Sequence, residues 1–282
     1  MISPDDYTFL AEMLKQHSGL SLGSGKEYLI ESRLPPVVSS FGHSGIASLV
    51  QSLRIAAPPQ IVKSICDAMT TNETFFFRDT TPFTVLQQQV LPAAIQRVRE
   101  AKRPLRIWCA ACSTGQEPFT IAMILAQMET ALQGMRVEIM ATDYSAQALA
   151  RARSGIYNQF EVQRGLPVQL LVKFFRPVPE GFQVVPELHR HISYQELNLL
   201  KPFPAGWQFD IIFCRNVLIY FDLPTKRDIL QRTASSLYPG GSVFLGGTES
   251  TLGITDSLMR VPGQASGVYR RPADIEAKRA VA

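Results

Sequence analysis

Apolar residues recur three and four positions apart through the first part of the chain, and the period then changes. Phe9, Leu10, Met13 and Leu14 share one face of a helix predicted over residues 3–17. Asp5 and Asp6 stand near its start, where the helix dipole favours anions. Gly19, Gly23 and Gly25 break the chain, and a second helix over 26–34 is expected to stop at Pro35-Pro36. Further helices fit 44–54 and 58–69, so this segment reads as a helical domain without strands. A long helix is predicted over 81–100. Residues 105–111 (LRIWCAA) then form a continuous apolar run, as a strand buried on both faces requires. Similar runs at 137–142, 210–214 and 242–247 alternate with helical patterns at 117–128, 145–153 and 225–237. The last of these helices is expected to reach Tyr238 and stop at Pro239-Gly240-Gly241. Strands alternating with helices predict an α/β fold, a parallel sheet covered on both faces. Phe182, Val184 and Ile192, set among turn residues, suggest a small antiparallel insertion over 174–196, and 272–282 is expected to fray.

Composition narrows the class of protein. With 282 residues, 46% hydrophobic and 18% charged, the chain can bury a sizeable core and is neither collagen-like, coiled-coil nor wholly disordered. No apolar run approaches the roughly 18 residues that span a bilayer. The start, MISPDDYTFL, lacks a basic or apolar leader, so a cytoplasmic chain is expected. The net charge of +4 comes without a block of like charge, which argues weakly for nucleic acid. Cys109 and Cys112 have CxxC spacing, but no second pair or HxxxH complements them. A reduced, half-buried pair and no metal are expected. His189 and His191 read as strand neighbours rather than ligands.

Candidate chemistry gathers at the carboxyl ends of the predicted strands, where open α/β sheets bind ligands. The loop Cys112-Ser113-Thr114-Gly115-Gln116-Glu117-Pro118 follows the first strand. Its single glycine is not a dinucleotide fingerprint, and Gly23-Ser24-Gly25-Lys26-Glu27 is not a phosphate loop. Glu117 reads either as compensation for the helix dipole or as a partner for a cationic ligand. Asp143, ending the second strand, reads equally as a ribose ligand or as a helix cap. A carboxylate at Glu117 would repel a pyrophosphate. The pair therefore favours S-adenosylmethionine, which has a ribose, a sulfonium and an ammonium but no phosphate, over a nicotinamide dinucleotide. The later strand end, Arg215-Asn216-Val217-Leu218-Ile219-Tyr220, lacks an Asn-Pro-Pro-Tyr element and suits a carboxylate substrate. A buried Asn capping a loop is the plainer reading. Thr70-Thr71-Asn72-Glu73-Thr74-Phe75-Phe76-Phe77-Arg78-Asp79 reads either as a cleft-facing linker or as a helix cap with a hydrophobic staple.

TTNETFFFRD, WCAACSTGQEP, ATDYSAQALARARSGIY and FDIIFCRNVLIYFD, in this order and spacing, closely resemble the chemotaxis receptor methyltransferases of the CheR family. The resemblance runs from about residue 5 to 271. It implies an all-α N-terminal domain and linker motif over 1–78 and a Rossmann-like S-adenosylmethionine-dependent methyltransferase domain over 79–271. A small antiparallel β-subdomain at 174–196 and a flexible tail at 272–282 complete that division. The implied reaction is methylation of glutamate side chains on cytoplasmic chemoreceptor helices, with S-adenosylhomocysteine as the other product. The family's cofactor contacts fall on Asn72, Thr74, Arg78, Glu117, Asp143, Asn198, Leu199, Arg215 and Asn216. Tyr220 matches the aromatic beside the transferred methyl, and Arg78 is expected to hold the substrate carboxylate by a charge-assisted hydrogen bond.

Three departures stand out. Gln116 replaces a frequent Glu. The second helix keeps mainly Lys26 and Arg33 where the family is rich in basic residues. The β-subdomain has a tight turn at Pro179-Glu180-Gly181, which predicts action without docking on a receptor's tether peptide. A monomer without nucleic-acid or membrane partners is expected. The rival readings are a cofactor-binding signalling adaptor and a nucleic-acid methyltransferase.

Overall fold

The computed structural model describes residues 2–265 and 267–280. Two compact units emerge. One takes the chain up to Thr71 and regains it at Tyr220–Thr225; the other holds Asn72–Ile219 and the chain from Lys226 onward.

The helical unit begins with Pro4–Ser18, where Ser3 Oγ accepts the Asp6 N–H (3.2 Å) and Gly19, at φ 78°, ends the helix. Helices Glu27–Arg33, Pro35–Ser40, Ile46–Ile55 and Pro59–Met69 follow. Leu10, Leu14, Ile30, Leu49 and Ile65 form their fully buried core. The two prolines expected to close the second helix instead open a third, because the first turn of a helix needs no N–H donor there. Arg33 binds the end of the last helix, donating to the Met69 carbonyl (2.7 Å) and to Thr71 Oγ (3.2 Å). The returning segment is tied in by the Ser21 N–H on the Tyr220 carbonyl (2.9 Å) and by Lys15 on Asp222 (2.8 Å).

The other unit is built on a seven-stranded sheet. Its strands are β1 Leu105–Ala110, β2 Val137–Asp143, β6 Ile192–Glu196, β7 Phe209–Cys214, β8 Leu237–Leu245, β9 Met259–Arg260 and β10 Val268–Arg270. The order is β6-β2-β1-β7-β8-β10-β9, parallel from β6 to β8 and antiparallel beyond. Ile107, Ile139, Ile211, Phe213 and Phe244 fill its core. Strand order reverses between β1 and β7, which opens a crevice beyond their carboxyl ends. A second sheet, β3 Ile156–Tyr157, β4 Phe175–Val178 and β5 Gly181–Val184, is antiparallel in the order β3-β5-β4.

Several elements differ from the sequence expectation. The insertion recruits Ile156–Tyr157, while Ile192 belongs to the main sheet, opposite Ile139. The predicted helix over 81–100 is interrupted by a wide turn at Leu86–Val90, where the Leu91 N–H reaches back to the Leu86 carbonyl. Pro92 follows directly; it lacks an N–H and crowds the preceding turn, a recognised cause of such a disturbance. Helix Leu223–Ser235 ends early, and Pro239-Gly240-Gly241 runs inside β8, which starts beside a register irregularity at Phe209/Ile211. An edge-like strand start tolerates proline. His189 closes the helix Pro186–His189, and His191 precedes β6, so the two are not strand neighbours.

The expected tail is helical over Pro272–Ala280, with Asp274 accepting the Gly240 N–H (2.9 Å) and Arg271 Nε (3.0 Å). Residues 281 and 282 of that expectation lie outside the described residues. All four cysteines are fully buried, deeper than the half-buried state expected of Cys109 and Cys112. Among the described residues no helix is long and apolar enough to cross a membrane.

Candidate active site

Beyond β1 the chain turns sharply, with Ala111 (φ 57°), Ser113 (φ 51°) and Gly115 (φ 95°) all left-handed. Only Gly115 is free of a side-chain penalty there. It is also hemmed in: a Cβ on it would lie 2.8 Å from Ala152 Cβ and 3.0 Å from Tyr157 Oη. The Tyr157 hydroxyl donates to the Thr114 carbonyl (2.7 Å), and Thr114 Oγ1 donates to Gln116 Oε1 (2.8 Å). Gln116 is thus a buried brace of the turn.

Ser113 ties three parts of the site together. Its N–H donates to Asp143 Oδ2 (2.8 Å) and its Oγ to the Asn72 carbonyl (3.1 Å). Asp143 Oδ1 accepts the Ser145 N–H (2.9 Å), while Ser145 Oγ accepts the Ala148 N–H (3.2 Å). Ser145, not Asp143, therefore caps helix Ala146–Ser154, which removes the capping alternative for Asp143. Burial pushes the Asp143 carboxyl up, opposed by backbone N–H bonds from Ser145, Ser113 and Tyr144. Each carboxylate oxygen retains acceptor capacity beyond these bonds. Asn198 and Leu199 adjoin through the Leu197 N–H on the Asp143 carbonyl (2.9 Å). Asn198 Oδ1 accepts the Leu200 N–H (2.9 Å), and the carbonyl of buried Leu199 accepts from Arg232 Nη2 (2.6 Å).

From Asn72 onward the linker motif belongs to the sheet unit. Phe76 is fully buried, edge-on to Tyr157 (5.0 Å) and Phe175 (5.6 Å). Phe77 packs on Phe83, and its N–H donates to Thr120 Oγ1 (3.2 Å). Phe77, Asp79 and Thr80 all have positive φ (53°, 68° and 46°). Thr80 makes no capping bond to helix Thr81–Val85. The helix-cap reading thus loses to a contorted segment, of a kind that clusters at functional sites. Thr74 is half-buried. Arg78, also half-buried, donates to the Glu73 carbonyl (2.7 Å) and lies over the Phe75 ring.

Arg215 joins the linker, the start of helix Gln116–Gln127 and β7. Its side chain is 2% exposed; Nη1 donates to Glu117 Oε2 (3.0 Å), and Nη2 to Asp79 Oδ2 (2.7 Å) and the Arg78 carbonyl (2.9 Å). Burial pushes the Glu117 carboxyl up, and Arg215 opposes it by charge and hydrogen bond. Asn216, at φ 58°, is held through its backbone by Glu249 (N–H to Oε2, 2.8 Å). Tyr220 falls in the helical unit. Sequence reasoning missed Ser113, Asp79 and Glu249. Asp79 directly follows the motif arginine, which was a usable signal. Glu249 joins a loop 33 residues away, and nothing local marks it.

Two carboxylates on neighbouring strand ends, with the nearest guanidinium turned onto Glu117 and Asp79, suit a ligand carrying a ribose and positive charge and no phosphate. Fold and site together define an S-adenosylmethionine-dependent methyltransferase. Residues 72–266 match the family model "CheR methyltransferase, SAM binding domain", and 5–70 match "CheR methyltransferase, all-alpha domain". The chemotaxis protein methyltransferase of Vibrio parahaemolyticus is 39% identical over 272 residues, covering 95% of this chain and 98% of that one. Chemotaxis protein methyltransferase 1 of Pseudomonas aeruginosa is 38% identical over 269 residues, with 94% and 97% covered. The chain belongs to the CheR methyltransferase family.

Proposed function

We propose that this protein methylates glutamate side chains on the cytoplasmic helices of chemoreceptors, giving glutamyl methyl esters, and so serves sensory adaptation. The relatives' names support chemotaxis as the setting. The observation that carries the reading is the Arg215 bridge, which ties the Arg78–Asp79 linker to Glu117 at the strand ends.

S-adenosylmethionine supplies a methyl group activated by its sulfonium. Asp143 would hold the ribose hydroxyls, and Glu117, Asn72, Thr74, Asn198, Leu199 and Asn216 would complete the cofactor site. A glutamate carboxylate is ionised at neutral pH, so no general base is needed and the protein's task is alignment. Arg78 makes one bond to a carbonyl and keeps further N–H donors for a substrate carboxylate. Holding that carboxylate too tightly would favour the ground state, since charge is neutralised as the reaction proceeds. Arg78 is accordingly assigned to positioning the carboxylate. Tyr220, on the resemblance alone, is assigned to orient the carboxylate or the methyl group. The β4–β5 turn, only Pro179 and Glu180 long, supports action without tether docking. A cytoplasmic monomer is the form proposed.

The test incubates the protein with methyl-labelled S-adenosylmethionine and membranes carrying candidate receptors. Base-labile label released as methanol is the expected result. An acid- and base-stable product, or cofactor binding without transfer to any receptor, would overturn the reading.

A further inference from the structure

Glu249, in the loop after β8, has the most heavily bonded carboxylate of the described site. Oε1 accepts the N–H groups of Val217 (3.0 Å) and Leu218 (2.7 Å). Oε2 accepts those of Asn216 (2.8 Å) and Gly246 (2.7 Å). Three successive N–H groups thus converge on one anion, a concave arrangement that backbone adopts where a left-handed residue lies in a turn. Asn216 supplies that residue. Left-handed backbone is disfavoured for a side-chain-bearing residue, least so for Asn, and it persists where surroundings over-determine it.

Glu249 is itself fixed. Its N–H donates to the Gly246 carbonyl (2.9 Å), and the Tyr269 hydroxyl reaches its own carbonyl (3.4 Å). Gly246 leaves the room this requires, since a Cβ there would lie 2.7 Å from Glu249 Oε2 and 2.8 Å from Asn216 Nδ2. The Asn216 amide is therefore seated against Gly246 by the same carboxylate that sets its backbone. The Glu249 charge is also felt across the site, adding to what raises Glu117.

We propose that Glu249 is a positioning residue for methyl transfer, acting through the backbone of Asn216, Val217 and Leu218 to hold the Asn216 amide at the strand end. The inference rests on the proposed methyl transfer. The charge matters as well as the shape. A carboxylate offers acceptors on both oxygens, whereas an amide in its place must turn an NH₂ toward two of the four donors.

The test compares Glu249→Gln with wild type. Hydrogen exchange within the amides of 216–218 should speed up by at least about tenfold, because at least one of these three N–H groups loses its acceptor. Turnover should fall on the order of 10²-fold, the scale of a misplacement near 1 Å. Affinity for S-adenosylhomocysteine should fall too, but by less than turnover, because Asn216 is one of several residues of the proposed cofactor site. If Glu249 acts through Asn216, Glu249→Gln should cost little more in an Asn216→Ala background. Unchanged exchange at 216–218, or fully additive losses in the double variant, would overturn the proposal. So would a turnover loss that merely tracks the fraction of unfolded protein. Absence of transfer by wild type would instead overturn the proposed reaction, and it is seen before any variant is compared.

Discussion

Arg215→Ala tests the electrostatic design of the site most severely. The variant deletes a guanidinium that is almost wholly buried and leaves Glu117, whose side chain is 12% exposed, without its cation. Asp79 is 46% exposed, so water screens most of its loss and the effect concentrates on Glu117. Removing one partner of a buried pair costs about 3–5 kcal/mol. For a domain of this size that lowers Tm by roughly 6–20 °C.

The pH dependence has a definite sign. Glu117 sits above the free glutamate value in the folded protein, so the folded state holds that proton more tightly than the unfolded one. Stability therefore falls as pH rises from the unfolded value, about 4.3, through the folded value. Arg215 limits this loss by opposing the rise. Without it the window extends upward, at about 1.4 kcal/mol per added pH unit. A neutral Glu117 would also no longer attract a cationic ligand. Titration calorimetry of S-adenosylmethionine against pH, with thermal melts on the same samples, reads both effects. Arg215→Ala should bind more weakly at neutral pH, and adding Glu117→Gln should restore part of the lost stability by removing the uncompensated charge. A melt within a degree of wild type and an unshifted binding profile would refute the reasoning.

Arg78→Ala should cut turnover by about 10²-fold with little change in Tm, since Arg78 is half-buried and donates to the Glu73 carbonyl; near wild-type turnover would remove it from the reacting groups. Gly115→Ala should cost at least about 2 kcal/mol, because φ 95° penalises a side chain and the new Cβ would meet Ala152 at 2.8 Å. Thermal melts with S-adenosylhomocysteine titration check it. Asp143→Ala strands the Ser113 and Ser145 N–H groups, so stability should fall by about 2 kcal/mol or more and cofactor affinity should drop together. In the helical unit, a hydrogen bond from Lys15, joined by hydrogen bonds from Thr225, holds Asp222 down to about 2. Lys15→Met should cost less than about 1 kcal/mol at neutral pH, as the lysine is half exposed. That difference is present above the unfolded Asp value near 3.9 and should vanish as pH falls through about 2; acid unfolding curves decide it.

Local pattern alone determined most of the elements. Strands β1 and β7 are buried along almost their whole length, so their apolar runs announced them, and the helices between the strands carried a clear period of 3.6. Glu117 and Asp143 were legible because strand ends of an open α/β sheet are few and acidic residues at them are conspicuous. Local pattern misled where one residue type serves two ends. Pro35-Pro36 stops one helix and starts the next, and Pro239-Gly240-Gly241 lies inside a strand whose pairing tolerates it.

Only the tertiary structure decided the roles of Arg215, Ser113 and Glu249. Each acts on groups brought near by strand order rather than by sequence: Arg215 on Glu117 and Asp79, Ser113 on Asp143 and Asn72, Glu249 on the backbone of 216–218. Backbone N–H groups have no sequence signature, so a side chain that serves them leaves no motif. Their pairing is set by the reversal between β1 and β7 and by the left-handed turns beyond the strands. Periodicity predicts that such strands exist, but their packing alone determines which ends meet.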